Sequence, residues 1–173
     1  MNDFLELAHD RYSVRKISSR PVEQEKIDKI IEAGRIAPTA VNNQPFKLFV
    51  LKSPEALAKL DGAHHFAFVK SAPVVIIVGS KKDEAWVRPF DGLNYADIDA
   101  SIAATQIMLA IHDQGLGSTW CGYFEPDKIK AEFPEMQDYN LIALFPVGYI
   151  EEGSVPSKSH TEFRPDEEMI SVY

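Results

Sequence analysis

Residues 97–124 have the sequence DIDASIAATQIMLAIHDQGLGSTWCGYF, a long apolar run followed by closely spaced glycines. Residues 97–114 are apolar on nearly every side of a helix, which predicts a helix through the middle of the core. Gly115 follows at the position where a glycine commonly ends a helix. The apolar residues between the next glycines, up to Phe124, predict a short strand.

Hydrophobic periodicity predicts the remaining elements. Apolar residues three and four apart indicate a short helix before Arg11 and a longer one over residues 23–36, which Pro38 ends. The β-branched run between Pro73 and Gly79 predicts a strand buried on both faces. The other predictions are a strand over residues 46–51, a helix from Ser53-Pro54 to about His65, a loop over 81–94, a helix over 126–133 and a strand over 141–150.

These elements predict an α+β fold, because about four strands lie between dominant helices without regular β-α-β alternation. The length of 173 residues suits one domain over residues 1–173. The 18 Lys and Arg against 26 Asp and Glu give a net charge of −8. That balance disfavours a nucleic-acid partner, which is bound through many phosphate contacts.

Targeting and metal signals are missing from the sequence. No apolar run is long enough to span a bilayer and no secretory signal is visible, so we expect a cytoplasmic protein without a membrane partner. One cysteine excludes an intramolecular disulfide. The five histidines contain no pair four residues apart, and we therefore expect no metal site.

The segment Arg11-Tyr-Ser-Val-Arg-Lys16 is a candidate anion site. Side chains alternate along an extended chain, so Arg11, Ser13 and Arg15 would project to one side. Two guanidiniums with a hydroxyl between them suit a phosphate, since Arg offers bidentate donors. The alternative is a solvated basic stretch that pairs with the surplus of acidic residues.

Residues 37–45, APTAVNNQP, connect a predicted helix to a predicted strand and form a second candidate. Small residues let a ligand approach the backbone, and the polar side chains supply donors and acceptors that do not titrate. Such groups suit the edge of a heteroaromatic ring. The alternative is an ordinary turn, because Pro and Asn are common turn residues.

The run GLGSTWCGYF at residues 115–124 is a third candidate, although it is not the dinucleotide fingerprint. Its glycine spacing differs from G-x-G-x-x-G and it follows a helix instead of a strand. Its glycines still leave backbone N–H groups open to a ligand. Cys121 is more often a buried core residue than a nucleophile in such a strand. Asp97 and Asp99 are interpreted as partners of the positive end of the core helix.

Taken together, these motifs are specific. RYSVRKI near the N-terminus, APTAVNNQPFKLFV, a core helix ending in GLGSTWCGYF, then FPVGY and a tail with Lys158 and Arg164-Pro165 resemble the nitroreductase family of FMN-dependent oxidoreductases. The resemblance runs from Arg11 to Pro165. It implies a sandwich with a mostly antiparallel central sheet. It also implies an intertwined homodimer with two flavin sites at its interface.

The resemblance further implies a set of cofactor-binding residues. Arg11, Tyr12 and Ser13 match the stretch at the FMN phosphate and ribityl chain, and Arg15 matches a basic residue near flavin N1 and O2. Segments of both subunits complete the implied site. They are Pro38, Thr39, Ala40 and Asn42, which reach the flavin from the partner; Cys121, Gly122 and Tyr123, whose N–H groups approach N5 and O4; and Lys158 and Arg164, which complete the phosphate site on a tail that wraps onto the partner from about residue 153.

The implied activity is hydride transfer from NADH or NADPH to flavin N5, followed by reduction of a planar acceptor such as a nitroaromatic or a quinone. No catalytic side chain and no metal is implied. We expect Trp86, Phe90 and Tyr123 to line the acceptor slot. Two alternatives stay open: a specialised relative such as a reductive dehalogenase, and a flavin-binding protein without NAD(P)H turnover.

Overall fold

The computed structural model describes residues 3–64 and 66–173 and shows an α+β fold around one antiparallel sheet. In these residues the sheet has three strands, in the order β1-β2-β3. The strands are β1 (Phe46–Leu51), β2 (Val74–Ser80) and β3 (Asn140–Val147). The α-helices are α1 (Phe4–Asp10), α2 (Gln24–Arg35), α3 (Pro54–Ala58), α4 (Ala67–Ser71), α5 (Ala96–Asp113), α6 (Pro126–Glu132) and α7 (Asp166–Met169).

Strand β2 forms the centre of the sheet, and all of its residues are buried. Val74, Ile76 and Val78 pack with apolar residues of α2 and α5 on one face. Val75 and Ile77 pack on the opposite face with residues of α6 and the segment that follows it. The predicted strand buried on both faces is therefore confirmed, since a continuous apolar run suits a position with no solvent-facing side.

Helix α5 is the buried core helix that its sequence predicts. Ala100, Ala104 and Ile107 are fully buried, and α5 packs against α2 and the sheet. The helix ends at Asp113, and Gly115, the residue after the cap Gln114, has φ +72° and donates its N–H to His112 O at 2.9 Å. This is the glycine C-terminal motif, which removes the steric cost of a left-handed residue. No helix of the described ranges is both long and apolar enough to cross a membrane.

The predicted fourth strand does not form. Gly117 and Cys121 exchange backbone hydrogen bonds with Gly148 and Leu144, at distances of 2.8–3.3 Å, but these are isolated bridges. The two bridges have the same antiparallel register. In that register, the residue midway between Gly117 and Cys121 would pair with Pro146. Proline has no N–H to donate. It therefore interrupts the ladder, and the sheet has three strands instead of about four.

The helix predicted from Ser53-Pro54 begins as expected but ends at Ala58. Beyond it, the N–H of Leu60 bonds to Leu57 O and that of Ala63 to Leu60 O, which are tight three-residue turns. Gly62 has φ +90°, a backbone conformation that a helix cannot contain. His65, the predicted end of this helix, lies outside the described residues.

Candidate functional site

The basic segment, residues 11–16, runs beside the glycine-rich segment, residues 115–124. Ser13 forms a parallel bridge with Ser118, and the Val14 N–H donates to Ser118 O at 2.9 Å. Val14 is buried, whereas Ser13 and Arg15 are exposed. The predicted alternation is therefore confirmed for Ser13 and Arg15, but Arg11 does not share their cavity. Two candidate segments that are far apart in the chain become neighbours in the fold.

The C-terminal tail lies against the same region. The Tyr12 hydroxyl donates to Ser154 O at 3.4 Å. Nε2 of His160 donates to the carbonyl oxygen of His9, at the end of α1, at 2.9 Å. Neither histidine was a candidate in the sequence, because no local motif connects residues so distant in the chain. These contacts bring the tail beside the basic segment of its own chain.

Two cavities open between the basic segment and the tail. The larger, of about 460 Å³, is lined by Arg11 together with residues of α1 and of the tail from His160 to Phe163. The smaller, of about 180 Å³, is lined by Ser13, Arg15, Lys16 and residues 153–157. The smaller cavity therefore combines two cationic side chains with serine hydroxyls, groups that suit a phosphate. Arg11 and Arg15, however, line different cavities.

The two tail residues predicted to complete the phosphate site take other positions in the single chain. Lys158 begins an exposed 3₁₀ turn, Lys158–Thr161. Arg164 pairs with Glu168 of α7, with Nη2 and Oε2 2.6 Å apart, and both side chains are exposed. Such a surface pair contributes about 0–1 kcal/mol. A more highly charged anion would compete effectively with Glu168 for this guanidinium.

Cys121, Gly122 and Tyr123 follow each other from the interior to the surface. The Cys121 thiol is buried and donates to Thr119 O at 3.7 Å, and its backbone N–H is already bonded to Leu144 O at 2.9 Å. Gly122 has open space where a side chain would lie. Tyr123 is 70% exposed. A planar ligand could therefore lie against the backbone at Gly122 without a steric clash.

Desolvation separates Cys121 from a catalytic thiol. Burial raises the pKa of the Cys121 thiol to about 11, and the positive charge of Arg15 opposes this only in part. The thiolate is the nucleophilic form, so a raised pKa makes the sulfur inert near neutral pH.

The junction, residues 38–44, precedes β1 and makes a separate group. Thr39 Oγ1 accepts the Gln44 N–H at 3.0 Å, and the N–H groups of Asn42 and Asn43 donate to Thr39 O and Ala40 O in two tight turns. The Asn43 side chain donates to Glu84 O at 3.2 Å, which links the junction to the predicted loop over residues 81–94. The sequence therefore places a turn correctly, and the structure adds its neighbour.

The loop after β2 includes a small hairpin closed by a bridge between Val87 and Asn94. Phe90, near its tip, is 93% exposed. Trp86 packs edge-on against Tyr95, whereas Tyr123 packs near Phe66, with ring centroids 6.2 Å apart. Trp86 therefore packs just before α5 and Tyr123 just before α4. Within a single chain these two residues do not line the one slot that the sequence predicts.

The junction and the basic segment lie at opposite ends of the sheet. The junction leads into Phe46, which pairs with Ser80 at the end of β2. The basic segment continues to Ser18, whose N–H donates to Tyr149 O just beyond the other end of β3. Seven strand residues at about 3.3 Å each put the two ends roughly 20 Å apart. Within one chain the basic segment and the junction therefore do not meet, whereas Cys121, bonded to Leu144 opposite Ile77, lies beside the middle of the sheet.

Two aspartates of α5 have roles that the sequence analysis missed. Asp97 accepts from the Asn140 side chain at 3.0 Å and from the Ser80 hydroxyl, and so ties the helix to the sheet. Asp99 is 1% exposed and accepts the backbone N–H of Ala40 at 3.0 Å. The sequence did contain a signal for these roles, namely carboxylates on a helix that is otherwise apolar on nearly every side. In the described ranges, no three His, Cys, Asp or Glu residues converge as metal ligands.

Comparison with known protein families identifies the family that shares these segments. The model of the nitroreductase family matches residues 8–65 and 61–149, which include the basic segment, the junction and the glycine-rich segment. The chain belongs to the nitroreductase family. A nitroreductase relative from Methanothermobacter thermautotrophicus, provisionally named NADH dehydrogenase/NAD(P)H nitroreductase, is 34% identical over 157 residues, which cover 85% of this chain and 77% of the relative.

Solved nitroreductase structures have the same fold. A nitroreductase family protein from Clostridium difficile 630 has a TM-score of 0.87 at 38% identity, over 98% of both chains. An FMN-dependent nitroreductase from Clostridium difficile R20291 has a TM-score of 0.76 at 26% identity, also over 98% of both chains. The nitroreductase resemblance and the α+β sandwich are thus confirmed.

Proposed function

We propose that this nitroreductase binds FMN and transfers electrons from NADH or NADPH to a planar acceptor such as a nitroaromatic or a quinone. The observation that carries the proposal is the meeting of the basic segment with the glycine-rich segment at Ser13 and Ser118. This contact supports the proposal because it joins the cations and the hydroxyl of the basic segment to the segment that carries the open backbone of Gly122. A flavin mononucleotide has complementary parts, a phosphate and a flat ring.

The phosphate would be held by the cationic groups between the basic segment and the tail. Arg11, Ser13 and the flanking Tyr12 belong to the phosphate and ribityl end, and Lys158 and Arg164 would turn toward it from the tail. Concentrating cations at one dianion explains how a chain of net charge −8 binds an anionic cofactor.

The ring would lie beside Arg15 and the backbone of Cys121, Gly122 and Tyr123. A guanidinium near N1 and O2 stabilises negative charge on the reduced ring and so raises its reduction potential. Because the Cys121 N–H is bonded to Leu144 O, the hydrogen bonds toward N5 and O4 fall to Gly122 and Tyr123. Bound FMN itself supplies the hydride-transfer chemistry, so we assign no catalytic side chain.

A second copy of the chain would complete each site. The junction residues Pro38, Thr39, Ala40 and Asn42 lie at the far end of their own sheet, so they would reach a flavin held by the partner. Exposed apolar side chains on α5, including Ile98 and Ile102 at 39% and 37%, offer a face for dimerisation. The exposed apolar residues at the end of the tail, such as Val172, would find cover on the partner.

The first test is a visible spectrum of the purified protein, followed by anaerobic addition of NADH or NADPH. We expect a yellow protein that releases FMN at about one per chain, as the two-site dimer requires, and that bleaches with a reduced nicotinamide. A colourless protein that takes up no FMN would contradict the proposal. Colour that persists with both nicotinamides would favour a flavin-binding protein without turnover.

The acceptor is tested with the reduced enzyme. Return of the yellow colour on addition of a nitroaromatic or a quinone supports the proposed acceptors. Return of colour only with a halogenated aromatic, together with release of halide, would favour a reductive dehalogenase instead.

A further inference from the structure

The junction is conformationally strained. Val41, Asn42 and Gln44 have φ values of 47°, 60° and 53°, and they are the non-glycine residues with positive φ in the described part of the chain. Asparagine tolerates this region, but a β-branched residue such as Val41 is a genuine outlier there. Strain of this kind persists only where the surrounding structure enforces it. Some neighbour must therefore hold the backbone of this segment.

Asp99 is that neighbour. Its Oδ1 accepts the Ala40 N–H at 3.0 Å, one residue before Val41. The other polar contacts of the junction involve exposed groups, such as Thr39 Oγ1 with the Gln44 N–H. Asp99 is 1% exposed and is fixed to the core by α5. The Asp99 carboxylate therefore connects the strained segment to the most rigid element of the fold.

The hydrogen bonding of Asp99 is poor for a residue that merely stabilises a helix. Its second oxygen, Oδ2, is buried and has no hydrogen-bond partner among the described residues. Burying a carboxylate that is incompletely paired is unfavourable. Asp97, in the same helical turn, is only half-buried, and its Oδ1 accepts from both Ser80 and Asn140. Two unfavourable features, the strain at Val41 and the unpaired oxygen of Asp99, thus coincide at one contact.

We propose that Asp99 is a positioning residue for the flavin site, which sets the conformation of residues 39–42 through the Ala40 N–H. This inference rests on the proposed function, in which those residues reach the flavin of the partner subunit. Asp99 itself touches no cofactor. Its contribution is to present the junction backbone in one conformation, so that binding does not have to order it.

The experiment compares Asp99→Ala with Asp97→Ala, which removes a carboxylate from the same turn of α5 without touching the junction. In the FMN-free protein, we expect Asp99→Ala to accelerate hydrogen exchange in residues 39–44, while Asp97→Ala leaves it unchanged. We further expect Asp99→Ala to weaken FMN binding about tenfold or more, as for a lost hydrogen bond to a charged group. Asp99→Asn keeps an acceptor oxygen and should restore both properties, even if the alanine variant is too unstable to purify.

The outcomes separate the two proposals. Unchanged exchange in Asp99→Ala would overturn the positioning role, whatever happens to FMN, and so would accelerated exchange in Asp99→Asn, which keeps the acceptor for the Ala40 N–H. Accelerated exchange with unchanged FMN affinity would overturn it as well, since the junction would then not contribute to the site. If the unmodified protein bound no FMN, the proposed function would fail, and with it the flavin role of Asp99, while the exchange result would still report on the junction.

Discussion

At the scale of the residue, Cys121 shows how position decides chemistry. Its thiol is buried beside the sheet, and its backbone groups pair with Leu144. Burial raises the pKa of the thiol from an ordinary 9.0 to about 11. The sequence interpretation of Cys121 as a buried core residue is therefore confirmed. In the proposed flavin site, the neighbouring backbone of Gly122 and Tyr123 makes the contacts and the thiol makes none.

The raised pKa of Cys121 predicts a pH dependence of stability. An acid whose pKa is higher in the folded state contributes stability in full below the pKa of the unfolded chain. For Cys121 this contribution is lost as the pH rises from about 9 to about 11, and two pKa units correspond to at most about 3 kcal/mol. Urea unfolding at pH 8 and pH 10.5 should therefore show a smaller alkaline loss of stability for Cys121→Ala than for the unmodified protein.

A thiol reagent provides the control for this prediction. The native protein at pH 8 should react with iodoacetamide far more slowly than the urea-unfolded chain, since the thiolate is the reactive form. Rapid labelling of the native protein, or equal alkaline losses for both proteins, would show that the thiol is not desolvated.

At the scale of the element, the edge of β3 depends on two glycines as well as on Pro146. A Cβ at Gly148 would lie 2.6 Å from Cγ2 of Ile17 and 2.9 Å from Cδ of Pro73. A Cβ at Gly117 would lie 2.7 Å from Cγ1 of Ile150. Both glycines therefore permit the close approach that joins the basic segment, the glycine-rich segment and the end of the sheet.

Gly148→Ala should destabilise the protein by about 1–3 kcal/mol, because the side chain of Ile17 is buried and cannot move aside. Gly122→Ala is the matched control, since a Cβ there meets no atom within 4 Å. It should change the free energy of unfolding by less than about 0.5 kcal/mol. Urea unfolding of both variants is the measurement. Equal effects would mean that the packing around Gly148 relaxes.

At the scale of the whole molecule, the site residues form two groups. The basic segment, the glycine-rich segment and the tail make the first group, which runs from one end of the sheet to its middle, where Cys121 is bonded to Leu144 opposite Ile77. The junction and the hairpin around Phe90 make the second group, at the other end. Because about 20 Å of strand separates the basic segment from the junction, a single chain does not bring these two segments together around one small ligand. Closed twofold symmetry would do so twice.

A mixed dimer tests this division. Arg11→Ala/Arg15→Ala removes cations of the first group, and Thr39→Ala/Asn42→Gly removes side chains of the second while keeping a residue suited to positive φ. Each variant alone should lose FMN-dependent activity. Refolded together in equal amounts, they should regain up to about a quarter of the normal activity, because half of the dimers would be mixed and each would hold one intact site.

The control mixes two variants that both change the first group. One is Arg11→Ala, and the other is the double variant Ser13→Ala/Arg15→Ala. No mixed dimer of these contains an intact site, so no activity should return. If the cross-group mixture also stayed inactive although mixed dimers formed, each site would have to be built from one chain.

Helices α1, α2 and α5 and strands β1 and β2 could be predicted from the sequence, because burial on one face, on two faces or all round leaves a local periodic pattern. The C-terminus of α5 was predictable for a similar reason, since Gly115 alone permits its positive φ. The family resemblance rests on the same kind of local signal, the order and spacing of short motifs. These features needed no knowledge of distant contacts.

Only the tertiary structure decided how the motifs are grouped. Ser13 meets Ser118, and Ala40 meets Asp99, across long stretches of chain that carry no sequence signal for either contact. The failure of the predicted fourth strand had a visible cause in Pro146, but its effect depends on which residue of the glycine-rich segment lies opposite it. Local sequence determines which backbone conformations are favourable, whereas packing between distant segments determines which side chains share a site.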